Sequence, residues 1–267
     1  MKSFLVILSA LLVILAAGPI LALATGQVSL EGDWRTANRD SVAIAPDPEF
    51  HPEAVVQVYA ARAFKWRGAF GVHTWITVKE QGAAGYEVHE VIGWHIRSGR
   101  SVVSTSMRAP DARWYGAEPE LLFDLRGEAA AALIEPIREA ARGYPHADRY
   151  EVWPGPNSNT FVAHVIREVP GLDLELPVTA IGKDYLADGF LARAPSGTGY
   201  QLNVGGILGV IAAWDEGLEF NLLGLSFGID VRDPAIKLPG LGRLGAGNRQ
   251  AAHAQNGTQS VTYTTDT

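Results

Sequence analysis

Residues Gly71–Lys79 (GVHTWITVK) alternate between two sets, with His73, Trp75, Thr77 and Lys79 on one side and Val72, Thr74, Ile76 and Val78 on the other. Successive side chains of an extended chain point to opposite faces, so this pattern predicts a strand with two chemically distinct sides. After a loop over Glu80–Gly85, Tyr86–Ile96 (YEVHEVIGWHI) predicts a second strand, antiparallel to the first. If Lys79 pairs with Tyr86, His73 lies opposite Ile92, and residues 90 and 94 become its diagonal neighbours on the same face. A one-residue slip would put His89 where Glu90 stands. A hairpin of this kind has to bury a face against another layer.

The segments around it suggest that layer. Ala54–Ala60 (AVVQVYA) predicts a further strand. Gly127–Arg142 (GEAAAALIEPIREAAR) has helical spacing, with a kink expected at Pro136 and an end at Gly143. Ser158–Glu168 (SNTFVAHVIRE) pairs Phe161 with Val165 and Val162 with Ile166, which predicts a short amphipathic helix. It opens after the rigid turn Pro154-Gly155-Pro156-Asn157 and closes at Pro170-Gly171. Residues 200–231 read as strands with a hairpin turn at Asp215–Gly217. Their apolar parity switches near Leu222-Leu223, which predicts a bulge or bend. Within them Gly205–Ala213 (GGILGVIAA) reads as a buried strand or as a segment that dips into a membrane surface. No internal repeat is visible. The expected organisation is an N-terminal segment over 1–24, an extended lead-in over 25–52, a main domain over 53–190, a β-hairpin extension over 191–244 and a disordered tail over 245–267.

The 267 residues carry a net charge of -7 with no cluster of Lys and Arg, which argues against a nucleic-acid partner. There are 0 cysteines, so no disulfide, thiolate metal site or thiol nucleophile exists. Lys2 precedes an apolar run from Phe4 to Ala17, then Gly18-Pro19 and the small-residue site Ala22-Leu23-Ala24. This predicts either a cleaved signal peptide or a transmembrane helix that anchors the chain to the inner membrane by residues 4–24. In both cases the rest of the chain belongs in the periplasm or cell envelope.

The chemistry expected of such residues is acyl transfer, which needs a nucleophile, a base and donors for an oxyanion. Ser158, at the first turn of its helix, is the candidate nucleophile, and the same position suits a plain helix cap. Asn157, Asn159 and the first-turn N–H groups are the candidate oxyanion donors. His73 is the candidate base, and Glu90 is placed to orient it. Trp66, Trp75, Trp94 and Trp153 are candidates either for a groove or for the core. His89 and His95 lack any metal-binding spacing, so neither metal nor cofactor is expected.

Together, "GVHTWITVK", "YEVHEVIGW" and "NSNTFVAHV" resemble the circularly permuted papain-like superfamily, which includes the NlpC/P60-like hydrolases, the lecithin:retinol acyltransferase relatives and the PPPDE peptidases. The resemblance implies a permuted papain-like α+β fold with an antiparallel sheet and packed helices, Ser158 at the nucleophilic Cys position, His73 as base and Glu90 as third polar group. More closely, "HTWI", "EVIGW", "VWPGPNSNTF" and "LPVTAIGKDY" resemble a bacterial family catalogued as domain of unknown function 3750, over most of residues 53–190. Serine in a thiol-shaped site implies either a retuned hydrolase or a scaffold without catalysis. The expectation is thus an envelope amide or ester hydrolase, or acyltransferase, acting on cell-wall peptides, lipids or acylated proteins. Its alternative is an inactive scaffold that binds peptide, glycan or lipid.

Overall fold

The computed structural model describes residues 2–186 and 188–245. It is a mixed α+β structure built from two antiparallel sheets and three α-helices. The first sheet holds β1 (Val55–Arg62), β2 (Val72–Lys79), β3 (Glu87–Val91), β4 (Val103–Met107) and β5 (Pro119–Arg126), in the order β4-β3-β2-β1-β5. The pairs Ile76–His89 and Thr77–Val88 fix the β2–β3 register at the one expected, without the slip. β3 is shorter than expected, because the chain turns into a 3₁₀ segment over Gly93–Ser98. Gly93 lies against the ring of Tyr150, where an added Cβ would stand 2.4 Å from a ring carbon.

Two helices cover one face of this sheet. α2 (Glu128–Arg142) turns Ala130, Ile134, Ile137 and Ala141 inward, and it runs unbroken through Pro136. α3 (Ser158–Glu168) contributes Phe161, Val162, Val165 and Ile166. They meet Val56, Val58, Ile76 and Val78 of the sheet in one continuous core. A fully buried side chain such as Phe161 stabilises the fold by about 1.5–3 kcal/mol.

The opposite face is covered by irregular chain. Tyr59, Ala61, Trp75 and Val88 form a second cluster beneath Trp114, Ala117 and Leu121. The loop that carries Trp114 is held down by the lead-in, whose Ser41 Oγ and Ile44 N–H donate to the buried Asp111 carboxylate at 2.6 and 2.7 Å. The lead-in therefore forms part of the covering layer over this face.

The C-terminal part is more than one hairpin. Seven strands, β6 (Leu191–Arg193), β7 (Gly199–Val204), β8 (Leu208–Ala213), β9 (Gly217–Leu222), β10 (Leu225–Asp230), β11 (Ala235–Leu238) and β12 (Gly242–Gly245), form a meander of consecutive neighbours. The parity switch at Leu222-Leu223 is a hairpin turn, with Leu223 and Gly224 both at positive φ. A short repeat that sequence reading overlooked recurs here as turn chemistry. Asn203 Oδ1 accepts from Gly206 N–H at 2.6 Å, and eighteen residues later Asn221 Oδ1 accepts from Gly224 N–H at 2.8 Å. Both Asn side chains donate to Asp184 Oδ2 of the first unit, at 2.8 and 2.6 Å. Only the Asn-x-x-Gly spacing repeats, too little to stand out as sequence similarity. Beside it, Lys183 and Lys237 close on Glu219 at 2.6 and 2.9 Å, all three side chains about 1% exposed.

α1 (Lys2–Ala24) covers the expected apolar segment. Among the described residues no helix is long and apolar enough to cross a membrane. The last turns of this helix pack on the rest of the protein. Gly18 meets the backbone of Pro239, where a Cβ would stand 1.8 Å from the carbonyl oxygen, and Ala22 is buried with Val28 and Ala69. The tail from 246 onward, expected to be disordered, lies outside the described residues.

Candidate functional site

The site begins with the parity of β2. His73 and Thr74 leave the strand in opposite directions, and each meets a different half of the expected machinery. His73 is buried with Glu90, and its Nε2 donates to Glu90 Oε2 at 3.0 Å. Glu90 stands across from Trp75 in the register, diagonal to His73, and its other oxygen accepts from Arg108 at 3.0 Å. Burial pushes the His73 imidazole below its ordinary value, and the opposing pull of Glu90 does not offset it. Burial pulls the Glu90 carboxyl upward, but His73 and Arg108 outweigh it and hold the group below the usual carboxylate range. The result is a neutral imidazole beside an ionised carboxylate, braced by a guanidinium that also lies over the Trp75 ring at 5.9 Å.

Trp114 closes this arrangement. Its indole stacks on His73 with ring centroids 3.5 Å apart and planes 7° from parallel. Trp94 and Tyr115 flank the same indole at 6.3 and 4.9 Å, and Arg39 lies over Tyr115 at 4.4 Å. Trp114 and Tyr115 in turn line a cleft of about 500 Å³ with Phe64, Lys65, Arg62 and Glu118, roofed by the first residues of the lead-in. Sequence reasoning missed Trp114, Tyr115 and Arg108. The available signal was the aromatic pair before a glycine in Arg113-Trp114-Tyr115-Gly116, inside a loop that has no period.

Thr74 faces the other way, toward the start of α3. Its Oγ1 donates to Asn159 Oδ1 at 2.9 Å and lies 3.4 Å from Ser158 O. Asn157 caps the helix, its Oδ1 accepting from the N–H groups of Asn159 and Thr160. Its Nδ2 donates to Val152 O and Ile181 O, and Asn159 Nδ2 donates to Val72 O and Ile181 O. Both Asn side chains and two first-turn amides are thus engaged within the protein. Ser158 is only 4% exposed, and among the described residues no hydrogen bond joins its hydroxyl to His73. The structure therefore brings His73 and Glu90 together, and gathers Asn157, Ser158 and Asn159 at a separate place.

The four tryptophans that are candidates for a groove or for the core are dispersed. Trp75 is fully buried, with its indole N–H donating to Pro110 O at 2.8 Å. Trp94 joins the Trp114 cluster and Trp66 packs against Phe70. Trp153 reaches the second sheet, donating to Leu223 O at 2.8 Å. His89 pairs with Thr105 on the helix side, and His95 Nδ1 lies 3.2 Å from the carbonyl of Ser101. Among the described residues no group of three or more His, Asp or Glu is placed to hold a metal ion.

A five-stranded antiparallel sheet, helices on one face and a buried His–carboxylate–guanidinium relay on the other define an α+β domain of distinct plan. Residues 53–185 match the family described as Protein of unknown function (DUF3750), and the chain belongs to that family through this segment. No curated protein and no solved structure matches the chain.

Proposed function

We propose that the chain is a non-hydrolytic binding protein of the cell envelope, whose ligand lies in the cleft beside Trp114. The observation that carries this reading is the division across β2, with His73 stacked under Trp114 and the Ser158 turn bonded through Thr74. A serine nucleophile needs its base within hydrogen-bond reach and free donors for the oxyanion. Here, among the described residues, no hydrogen bond joins the base to Ser158, and the side-chain amides of Asn157 and Asn159 are engaged by backbone carbonyls. The order of His strand, hairpin partner and Asn-Ser helix start supports a permuted papain-like scaffold that has lost its catalytic pair.

The cleft combines the flat faces of Phe64, Trp114 and Tyr115 with charges of both signs at Asp33, Glu118, Arg62 and Lys65. Such a lining suits a polar ligand with apolar faces, as glycan–peptide material has. The envelope placement is supported by the apolar helix that follows Lys2. Titration of the full chain with soluble peptidoglycan fragments, read by tryptophan fluorescence, tests the reading. We expect saturable binding that Trp114→Ala abolishes and Ser158→Ala leaves intact. Fragment hydrolysis that depends on Ser158, or binding indifferent to Trp114, would overturn it.

A further inference from the structure

The seven-stranded sheet is turned inside out. Its inner face, toward the first unit, carries the buried polar side chains Gln201, Asn203, Glu219, Asn221, Asp230 and Lys237. Its outer face is apolar in continuous rows. Leu191, Leu202, Val210, Phe220 and Phe227 stand side by side across five strands. Leu218, Ile229, Ile236 and Leu244 make a second row across four. Leu202 is 54% exposed, Ile236 56% and Phe220 41%, so nothing in the described chain covers them.

An antiparallel sheet with one wet face normally turns its polar residues to water. Reversal of that rule over seven strands needs an apolar neighbour. The face measures roughly 600 Å², from a strand spacing of about 4.8 Å and a rise of about 3.3 Å per residue. That lies at the upper end of the largest apolar patches on monomers, and below the roughly 800 Å² per partner of a standard dimer.

A second uncovered apolar surface is fixed to the same sheet. α1 is held at the β11–β12 turn by Gly18 and Pro19 against Pro239 and Gly240, and Leu5, Val6, Leu12 and Val13 on its free part are exposed. A helix that is apolar all round needs protein or hydrocarbon about it. At the turns opposite the α1 attachment, exposed Trp214 lies under the Arg232 guanidinium at 5.8 Å, and exposed Tyr200 stands on β7. Trp, Tyr and Arg are the side chains that settle at a membrane–water boundary.

We propose that the outer face of this sheet rests on a lipid bilayer, with the free part of α1 entering the same leaflet. The protein is thereby held at the membrane surface without crossing it. This inference stands independently of what the Trp114 cleft binds. The two rows of the outer face are apolar, with Arg193 at the edge of the sheet beside Tyr200, so the contact is apolar rather than electrostatic and neutral phosphatidylcholine suffices as the surface.

The absence of cysteine allows a unique spin label at Phe220→Cys, with Leu202→Cys as an independent second position. The full chain is added to phosphatidylcholine vesicles, and label collisions with oxygen and with a water-soluble nickel chelate are measured. At both positions we expect oxygen accessibility to rise and nickel accessibility to be lost. Labels that stay open to nickel, meaning that α1 alone engages lipid, would overturn the proposal. Labels closed to both reagents, meaning that a second protein surface covers the sheet, would overturn it as well.

Discussion

The imidazole of His73 and the indole of Trp114 lie face to face, 3.5 Å apart and 7° from parallel, although forty-one residues separate them in the chain. This contact ties a buried titratable group of β2 to the wall of the cleft. It assigns His73 the task of positioning an aromatic platform, with Glu90 and Arg108 fixing the ring from behind.

Removal of that support should loosen the platform. His73→Ala leaves a cavity under Trp114 and deprives the buried Glu90 of a donor, so a loss of about 2–4 kcal/mol in unfolding free energy is expected. Urea unfolding measures it, and the native fluorescence should shift to the red as Trp114 meets water. Trp114→Ala should move the His73 titration back toward 6.5, because burial is the first cause of its depression. A proton NMR titration reads that shift.

The Asn-Ser-Asn turn should sort by structural load. Asn159→Ala removes a donor to each of the Val72 and Ile181 carbonyls and the closer acceptor of the Thr74 hydroxyl, so a cost of about 2–4 kcal/mol is expected. Asn157→Ala removes a helix cap and two further bonds, for a similar cost. Ser158→Ala should stay within about 1 kcal/mol of the parent, since among the described residues no hydrogen bond of its hydroxyl holds the turn. Thermal unfolding of the three variants gives the ranking.

Stability should fall on mild acidification. His73, His89 and His164 are all held below the ordinary 6.5, with burial as first cause in each. A depressed folded value means that the unfolded chain takes up protons first. The stability these groups contribute is therefore complete above 6.5 and is lost as the pH falls through their lower folded values. Glu90, also depressed, acts in the same sense in a more acidic window, below its unfolded value. The urea midpoint should drop steadily between about pH 8 and pH 5, and a midpoint that rises would contradict the burial of these rings.

The two units should come apart when Glu219 is neutralised. Burial pulls its carboxyl upward, but Lys183 and Lys237 outweigh it and keep it ionised. Glu219→Gln leaves two buried ammonium groups without their shared counter-ion, at a cost of about 3–5 kcal/mol. Limited proteolysis should then cut first between Tyr185 and Leu191, ahead of the second sheet. An unchanged cleavage pattern would mean that the ionic cluster does not hold the units together.

Much of the first sheet was legible in the sequence because strand parity and register are local. The alternation through Lys79 and the pairing implied by its loop put Glu90 diagonal to His73, where it is found. Parity also contained the warning that His73 and Thr74 face opposite ways, but which face α3 covers depends on packing that no local pattern encodes. The covering layer was illegible for a related reason. Trp114 and Asp111 sit in loops without a period, and their partners at His73 and Ser41 are distant in sequence. In the second sheet, alternation announced strands correctly but could not say which face meets the protein, and here the polar face does.

The account rests on Ser158 being part of a helix cap rather than a nucleophile. Intact-mass analysis of the full chain after exposure to a fluorophosphonate probe tests this most directly. The account predicts no adduct on the parent chain and none on Ser158→Ala. An adduct mapped to Ser158, formed by the parent and abolished by His73→Ala, would contradict it.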